Sequence, residues 1–258
     1  MWIEQNPKVL TKSGTSPKVF ISAPFGNYIK PKGTIPVTGT FTLNPRGNRL
    51  WSVLSSLRYS FKSNGGWTNK LGLPNPGIEK GLHRHFTAGG EVLSIAEIQK
   101  GDFNKLVEII PERTDIELNL SCPNLAKRLP WDSARVFTQT NDCRKWCIAK
   151  LSPLTTPEEL EFVIEELGFE QLHFSNTLPT PAGGLSGPTL KPYTLELIDI
   201  VRERWGERVE IIAGGGVRDF GAVSDYLSAG ANHVSLGSVC FNPFKLRKLL
   251  KSLELKNV

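Results

Sequence analysis

A thiol stands between two amides in Glu117-Leu118-Asn119-Leu120-Ser121-Cys122-Pro123-Asn124. Ile116, Leu118 and Leu120 alternate as apolar, β-compatible residues, so the stretch begins as a strand. Pro123 has no backbone N–H and forbids the strand to continue. Cys122 therefore falls just past a strand's C-terminal end, with Asn119 before it and Asn124 after it. A thiol in that place can serve as a base or as a nucleophile. Amides can hold a planar polar ligand without adding charge. An isolated Cys is more often a small packed residue; the surrounding sequence favours chemistry.

Two glycine-rich turns lie downstream, Ala213-Gly214-Gly215-Gly216-Val217 and Leu236-Gly237-Ser238. Each follows an apolar run. Glycines there let backbone N–H groups approach an anion closely, and a following helix N-terminus favours negative charge. One such turn alone is an ordinary strand-to-helix turn. Two of them after the last two strands read as a phosphate site. Lys150 ends another apolar run, where a cation can sit against an electron-rich ring or an anion. Asn69, Asn119, Asn124 and Asn176, with Thr177, place amides and a hydroxyl in strand-end loops. The histidines, His83, His85, His173 and His233, have no metal-ligand spacing with carboxylates. His173 and His233 fall inside strands and read as packed, so no metal is expected.

These groups need a frame that brings strand ends together. Residues 18–22 and 34–42 read as the first two strands. Only about a dozen residues lie between them, Pro31 and Gly33 included, and a β-α-β crossover normally needs that many with its helix. The first helix is therefore missing or reduced to a turn. Residues 50–70 hold short alternating pieces, and the glycine-rich stretch 183–188 follows Asn176-Thr177. Further strands at 91–95, 116–120, 146–151, 171–175, 209–213 and 233–236 alternate with helices near 97–110, 133–143, 156–167, 194–205, 219–229 and 243–253. Thr156-Pro157-Glu158-Glu159 is a helix start, with a Thr cap, Pro at the first position and acids in the first turn. Eight strands in this order predict a (β/α)8 TIM barrel with a shortened first β/α unit, a single domain over residues 1–258. Residues 1–17 are polar and read as a short hairpin or a lid over the barrel bottom.

With 258 residues, 39% hydrophobic and 22% charged, the composition is that of an ordinary globular chain. No run of 18 apolar residues is present, so no membrane-spanning helix is expected. The first residues lack the basic and apolar regions of a secretion signal. The four cysteines, Cys122, Cys143, Cys147 and Cys240, show no zinc-ribbon spacing and read as free thiols in a reducing cytoplasm. The net charge of +6 comes without a basic run interleaved with aromatics, so nucleic acid is not an expected partner; anionic small ligands suit it.

Taken in order, the motifs resemble the dihydroorotate dehydrogenases over about residues 38–245. ELNLSCPN at 117–124 resembles the signature at the end of that family's fourth strand, in the cysteine form of the soluble class 1 enzymes. WTNKLGLPN at 67–75 resembles the substrate loop. IAKLSP around Lys150, Asn176-Thr177, GGLSGPTLKP at 183–192, the turn at 213–217 and Gly237-Ser238 follow in sequence order. The resemblance implies an FMN-dependent oxidoreductase that converts dihydroorotate to orotate in pyrimidine biosynthesis. Cys122 is then the base at C5, and FMN takes the hydride from C6. Asn69, Asn119, Asn124, Asn176 and Thr177 are implied to hold the substrate. Lys150 is implied to contact the flavin ring, and Gly187, Gly214, Gly215, Gly237 and Ser238 to line its ribityl chain and phosphate. A homodimer is implied, with an electron-transfer subunit if NAD is the acceptor, towards which GGLSGP leans.

Two departures stand out. Gly39, in Thr38-Gly39-Thr40-Phe41-Thr42, occupies the place of a family lysine that touches flavin and substrate, for which Lys30, Lys32 or Arg46 are the substitutes at hand. Residues 22–27 replace the family's first Asn-Ala-Ser-Gly-like turn. Two other readings remain: a related flavin oxidoreductase acting on another dihydropyrimidine, and a flavin-binding protein without turnover.

Overall fold

The computed structural model describes residues 16–47, 57–60, 66–70, 72–120, 131–139 and 143–255. The expected hairpin or lid at the N-terminus lies almost wholly outside them. The strands are β1 (Val19–Ile21), β2 (Thr34–Phe41), β3 (Arg58–Ser60), β4 (Gly66–Asn69), β5 (Val92–Ile95), β6 (Ile116–Asn119), β7 (Cys147–Lys150), β8 (Gln171–Phe174), β9 (Leu178–Thr180), β10 (Gly183–Ser186), β11 (Glu210–Ala213) and β12 (His233–Leu236). Eight of them close a barrel in the order β1-β12-β11-β8-β7-β6-β5-β2, with every pair parallel. The helices are α1 (Ile78–Thr87), α2 (Asp102–Ile109), α3 (Arg135–Thr138), α4 (Pro157–Glu161), α5 (Lys191–Trp205), α6 (Phe220–Ala229) and α7 (Pro243–Leu255). The predicted TIM barrel is therefore present. Its first crossover is indeed reduced: a single 3-10 turn, Phe25–Asn27, joins β1 to β2.

The eight barrel strands are buried on both faces, because helices cover the outside and side chains fill the inside. Their period of two sorts the interior into layers. Phe20, Ile35, Val37, Val92, Trp146, Ile148 and Ile212 form an apolar plug low in the barrel. Two residues further along the same faces come Ser22, Ser94 and Lys150. The inside of the barrel thus turns from apolar to polar towards the strands' C-terminal ends, where a barrel keeps its site. A larger cluster, from Leu93 and Leu118 to Val234 and Leu249, packs the outer strand faces against the helices.

Local chemistry sets several element ends. Thr156 and Glu159 form the predicted capping box, with Glu159 N–H donating to Thr156 Oγ1 at 3.3 Å and Thr156 N–H to Glu159 Oε2 at 3.0 Å. Beyond α4 the chain passes into a π-helical turn, Phe162–Glu166, rather than staying α-helical to residue 167. The helix expected from 97 starts only at Asp102, after Gly101 at φ +91°. Asp102 Oδ2 accepts the N–H groups of Ile98 and Gln99, which holds the preceding residues in a turn. Of the helix expected over 133–143, the described residues up to 139 form a 3-10 turn, Asp132–Ala134, and the single turn of α3, whose last residue Thr138 donates to Leu167 O.

The glycine-rich stretch from residue 183, to which the sequence assigned no element, contributes a strand, Gly183–Ser186. β10 pairs antiparallel with both β4 and β9, and β3 extends the sheet to the order β3-β4-β10-β9. Pairing with β4, more than 110 positions earlier, decides this; the local glycines do not.

Candidate active site

A cavity of about 350 Å3 opens at the C-terminal end of the barrel, between the strand ends and the small sheet. Volumes of this order are typical of small-molecule and cofactor sites. One wall is glycine backbone: Gly187, Gly214, Gly215, Gly216 and Gly237, with Ser238. Gly215 has φ +88°, and a Cβ added there would stand 2.7 Å from Leu190 Cβ; at Gly216, φ +75°, it would stand 2.6 Å from Pro188 Cα. Both positions demand glycine. Neighbouring helices hold this loop from behind. Thr194 of α5 donates to Gly214 O at 3.0 Å, and Tyr226 of α6 donates to Gly215 O. Among the described residues, the backbone N–H groups of Gly215, Gly216 and Gly237 have no acceptor within the protein. A wall of glycine backbone with spare donors, just before the N-terminus of α6, suits a phosphate.

The floor is ionic. Glu117 of β6 is fully buried, accepts a 2.6 Å hydrogen bond from His173 Nδ1 of β8, and has Lys150 Nζ of β7 at 3.6 Å from Oε1. Burial alone would raise the carboxyl's pKa. The charge of Lys150, the contact with His173 and the nearby Ser94 hydroxyl outweigh it and bring Glu117 down to about 2. Burial and the Lys150 charge push His173 below its ordinary value, with Glu117 offsetting only part. Glu117 is thus an anion, and His173 is a neutral ring that donates to it. Lys150 and His173 both line the cavity.

The amides form the other side. Asn69 at the end of β4 lines the cavity and donates to Gly184 O at 3.3 Å. Asn176 and Thr177, after β8, also line it. Asn176 Nδ2 donates to Asn119 Oδ1 at 2.8 Å, and Asn119 Nδ2 to Thr40 Oγ1 at 3.4 Å. Thr40 is in turn 3.0 Å from Ser94 Oγ. Asn119 itself stands one hydrogen bond behind the wall. The lip is aromatic: Trp67 lies over Phe241 at 4.5 Å between ring centroids, and Phe25 meets Phe241 edge-on at 4.8 Å. Tyr28 completes it.

Ten of the twelve residues singled out from the sequence are thus in one place. Cys122 and Asn124 lie outside the described residues. His173, read as packed, is a correction: it is buried, but it lines the cavity and holds Glu117. The three cations at hand to stand in for a lysine at Gly39 do not reach the cavity. Lys30 donates to Ala88 O, and Arg46 Nε donates to Gly72 O at 3.4 Å; neither lines the cavity, nor does Lys32. Gly39 has φ +112°, its N–H and C=O are both held by the Asn27 side chain, and an added Cβ would stand 2.3 Å from Ser94 O. Among the described residues two thiols are buried, and burial pushes Cys147 and Cys240 each up to about 12, away from the reactive thiolate.

Fold and cavity together define a barrel enzyme with a site at the strands' C-terminal ends. A family profile described as dihydroorotate dehydrogenase matches residues 37–256. The NAD-dependent dihydroorotate dehydrogenase B catalytic subunit of Endomicrobium trichonymphae is 31% identical, covering 97% of this chain and 88% of that protein. A putative fumarate-dependent dihydroorotate dehydrogenase A of Aquifex aeolicus is 30% identical over 73% of this chain and 72% of its own length. The crystal structure of Eimeria tenella DHODH in complex with ferulenol shares the fold, with a TM-score of 0.76, 19% identity and coverage of 98% and 87%. The chain belongs to the dihydroorotate dehydrogenase family, whose members are flavin-carrying oxidoreductases. Among the described residues no helix is long and apolar enough to cross a membrane.

Proposed function

We propose that this chain is one FMN-binding domain that oxidises dihydroorotate to orotate. The observation that carries the reading is the cavity's polarity: a glycine cradle for a phosphate at one end, amides for a planar pyrimidine at the other, and Lys150 on the floor between them. The residues fit FMN. Gly187, Gly214, Gly215, Gly237 and Ser238 would hold its phosphate and ribityl chain, and Lys150 would contact its ring. When bound, FMN supplies a hydride acceptor for C6 of the substrate.

The chain's own residues then have limited tasks. Asn69, Asn124, Asn176 and Thr177 hydrogen-bond the pyrimidine and its carboxylate, with Asn119 joining them or orienting Asn176. Cys122 removes the proton from C5; this role rests on its place in the ELNLSCPN motif. Trp67 and Phe241 shut water out at the lip. The remaining part of the reading is a cytoplasmic homodimer. Its relatives' names include both a fumarate enzyme and an NAD enzyme's catalytic subunit, so an electron-transfer partner belongs to the second case.

Anaerobic bleaching of the flavin by dihydroorotate tests the substrate, and Cys122→Ala tests the base. That variant should keep its flavin and reduce it about 10²–10⁴ times more slowly, the usual worth of a positioned general base. Rapid reduction with the wild-type pH profile would remove Cys122 from the mechanism. One observation favours a second reading, a flavin oxidoreductase acting on another dihydropyrimidine: with Gly39 in place of a lysine, Lys150 is the one Lys or Arg among the described residues lining the cavity. Faster bleaching by dihydrouracil, which lacks the carboxylate, than by dihydroorotate would establish that alternative.

A further inference from the structure

The floor of the cavity holds more ionic apparatus than binding a flavin ring requires. Glu117, Lys150 and His173 come from three adjacent strands, with Lys150 in register with Asn119 on one side and His173 on the other. All three are buried, their side chains 0%, 7% and 2% exposed. His173 takes one oxygen of Glu117 at 2.6 Å. The other, Oε1, has no hydrogen-bond partner among the described residues and faces Lys150 Nζ at 3.6 Å. Placing a carboxylate here is costly, and an apolar residue of similar volume would fill the space at least as well. The arrangement therefore calls for a role beyond packing.

We infer that His173 and Glu117 are a positioning pair that sets where the Lys150 ammonium stands, and so how tightly the site holds reduced relative to oxidised flavin. The inference rests on the flavin reading above. Reduction by hydride adds negative charge to the bound ring, and a cation on the floor favours that charge more strongly the closer it stands. Glu117 competes for the same cation. The His173 bond holds the carboxylate through Oε2 and keeps it from turning both oxygens onto Lys150. Without that bond Glu117 draws the ammonium away from the cavity. Without the carboxylate's charge, Lys150 acts on the ring at full strength.

The two changes predict opposite signs, which a purely structural role does not. In flavin-loaded protein, His173→Leu lowers the affinity for reduced relative to oxidised flavin about tenfold, and Glu117→Gln raises it by a similar factor. Tenfold is a shift of about 30 mV in a two-electron midpoint potential, read by anaerobic photoreduction against reference dyes. His173→Asn, which can still offer an N–H near the place of Nδ1, stays near the wild-type potential. If His173→Leu does not accumulate, Glu117→Gln against His173→Asn decides the question. Unchanged potentials in flavin-loaded Glu117→Gln and His173→Leu, or shifts of the same sign, would overturn the positioning role alone. A wild-type protein that takes up no flavin would overturn the cofactor reading, and this inference with it.

Discussion

Asn176 donates its side-chain amide to Asn119 Oδ1 at 2.8 Å, tying the loop after β8 to the end of β6. The bond fixes which way both amides face. Asn119 turns its Nδ2 to Thr40, and Asn176 turns its Oδ1 to the Thr177 N–H at 2.9 Å. Each amide is thus oriented before a substrate arrives, and each depends on the other. Asn119→Ala should therefore disorder Asn176 and weaken substrate binding even though Asn119 does not line the cavity. Groups sharing one network couple by about 0.5–3 kcal/mol. A double-mutant cycle on the KM for dihydroorotate should show Asn119→Ala and Asn176→Ala falling short of additivity by an amount in that range. Additive losses would mean that the two amides act separately.

The glycine wall offers one position where ligand space can be filled without disturbing the fold. At Gly215 a new side chain would run into Leu190 and require φ +88°, so Gly215→Val should lose stability as well as cofactor. At Gly237 φ is −116°, and the nearest atom to an added Cβ is Ser22 Oγ at 3.8 Å. Gly237→Val should leave the apoprotein's melting temperature close to wild type and weaken FMN at least tenfold by fluorescence titration. Unchanged affinity would place the phosphate elsewhere.

Restoring a lysine at position 39 is the obvious repair from sequence alone, with faster flavin reduction as its expected result. The structure reverses that expectation. A left-handed φ costs a residue with a Cβ about 1–2 kcal/mol, and the overlap with Ser94 O adds to it. Gly39→Lys should lower stability by roughly 2–4 kcal/mol, in the range of a backbone clash, measured by urea denaturation, without speeding flavin reduction. A stable, faster variant would show that β2 re-forms to admit the longer side chain.

The barrel was legible because apolar runs of strand length alternate with helix-period segments from residue 91 onward. The cavity's glycine and amide lining was legible because those residues recur at the ends of those runs. Gly39 was visible as a departure, but its consequence was not: that depends on Ser94, 55 positions away on a neighbouring strand. His173 was passed over because a histidine inside a strand usually packs. A signal was present nonetheless. Glu117 puts a charge inside a buried parallel strand, where a carboxylate is almost never buried unless paired. Asking what pairs it leads to Lys150 and His173, both at the C-terminal ends of neighbouring strands. The small sheet was out of reach, since β10 exists only because β4 and β9 lie beside it.

His85 gives the fold a pH dependence with a definite sign. It sits on α1, is buried, and its Nδ1 is 2.7 Å from Thr38 Oγ1 of β2. Burial, and then the Lys30 charge, lower its pKa from 6.5 to about 4. A histidine lowered in the folded state binds fewer protons there than in the unfolded chain. Its contribution is therefore complete above about 6.5 and lost as pH falls towards 4, with a slope of at most about 1.4 kcal/mol per pH unit. His173 acts in the same direction, and Glu117 adds its own loss between about 4.5 and 2. His85→Gln can keep a bond to Thr38 and removes the proton site. Urea denaturation of both proteins at several pH values from 7.5 to 4.5 should show the wild type losing stability more steeply than the variant. Parallel curves would mean that His85 takes its proton without cost to the fold.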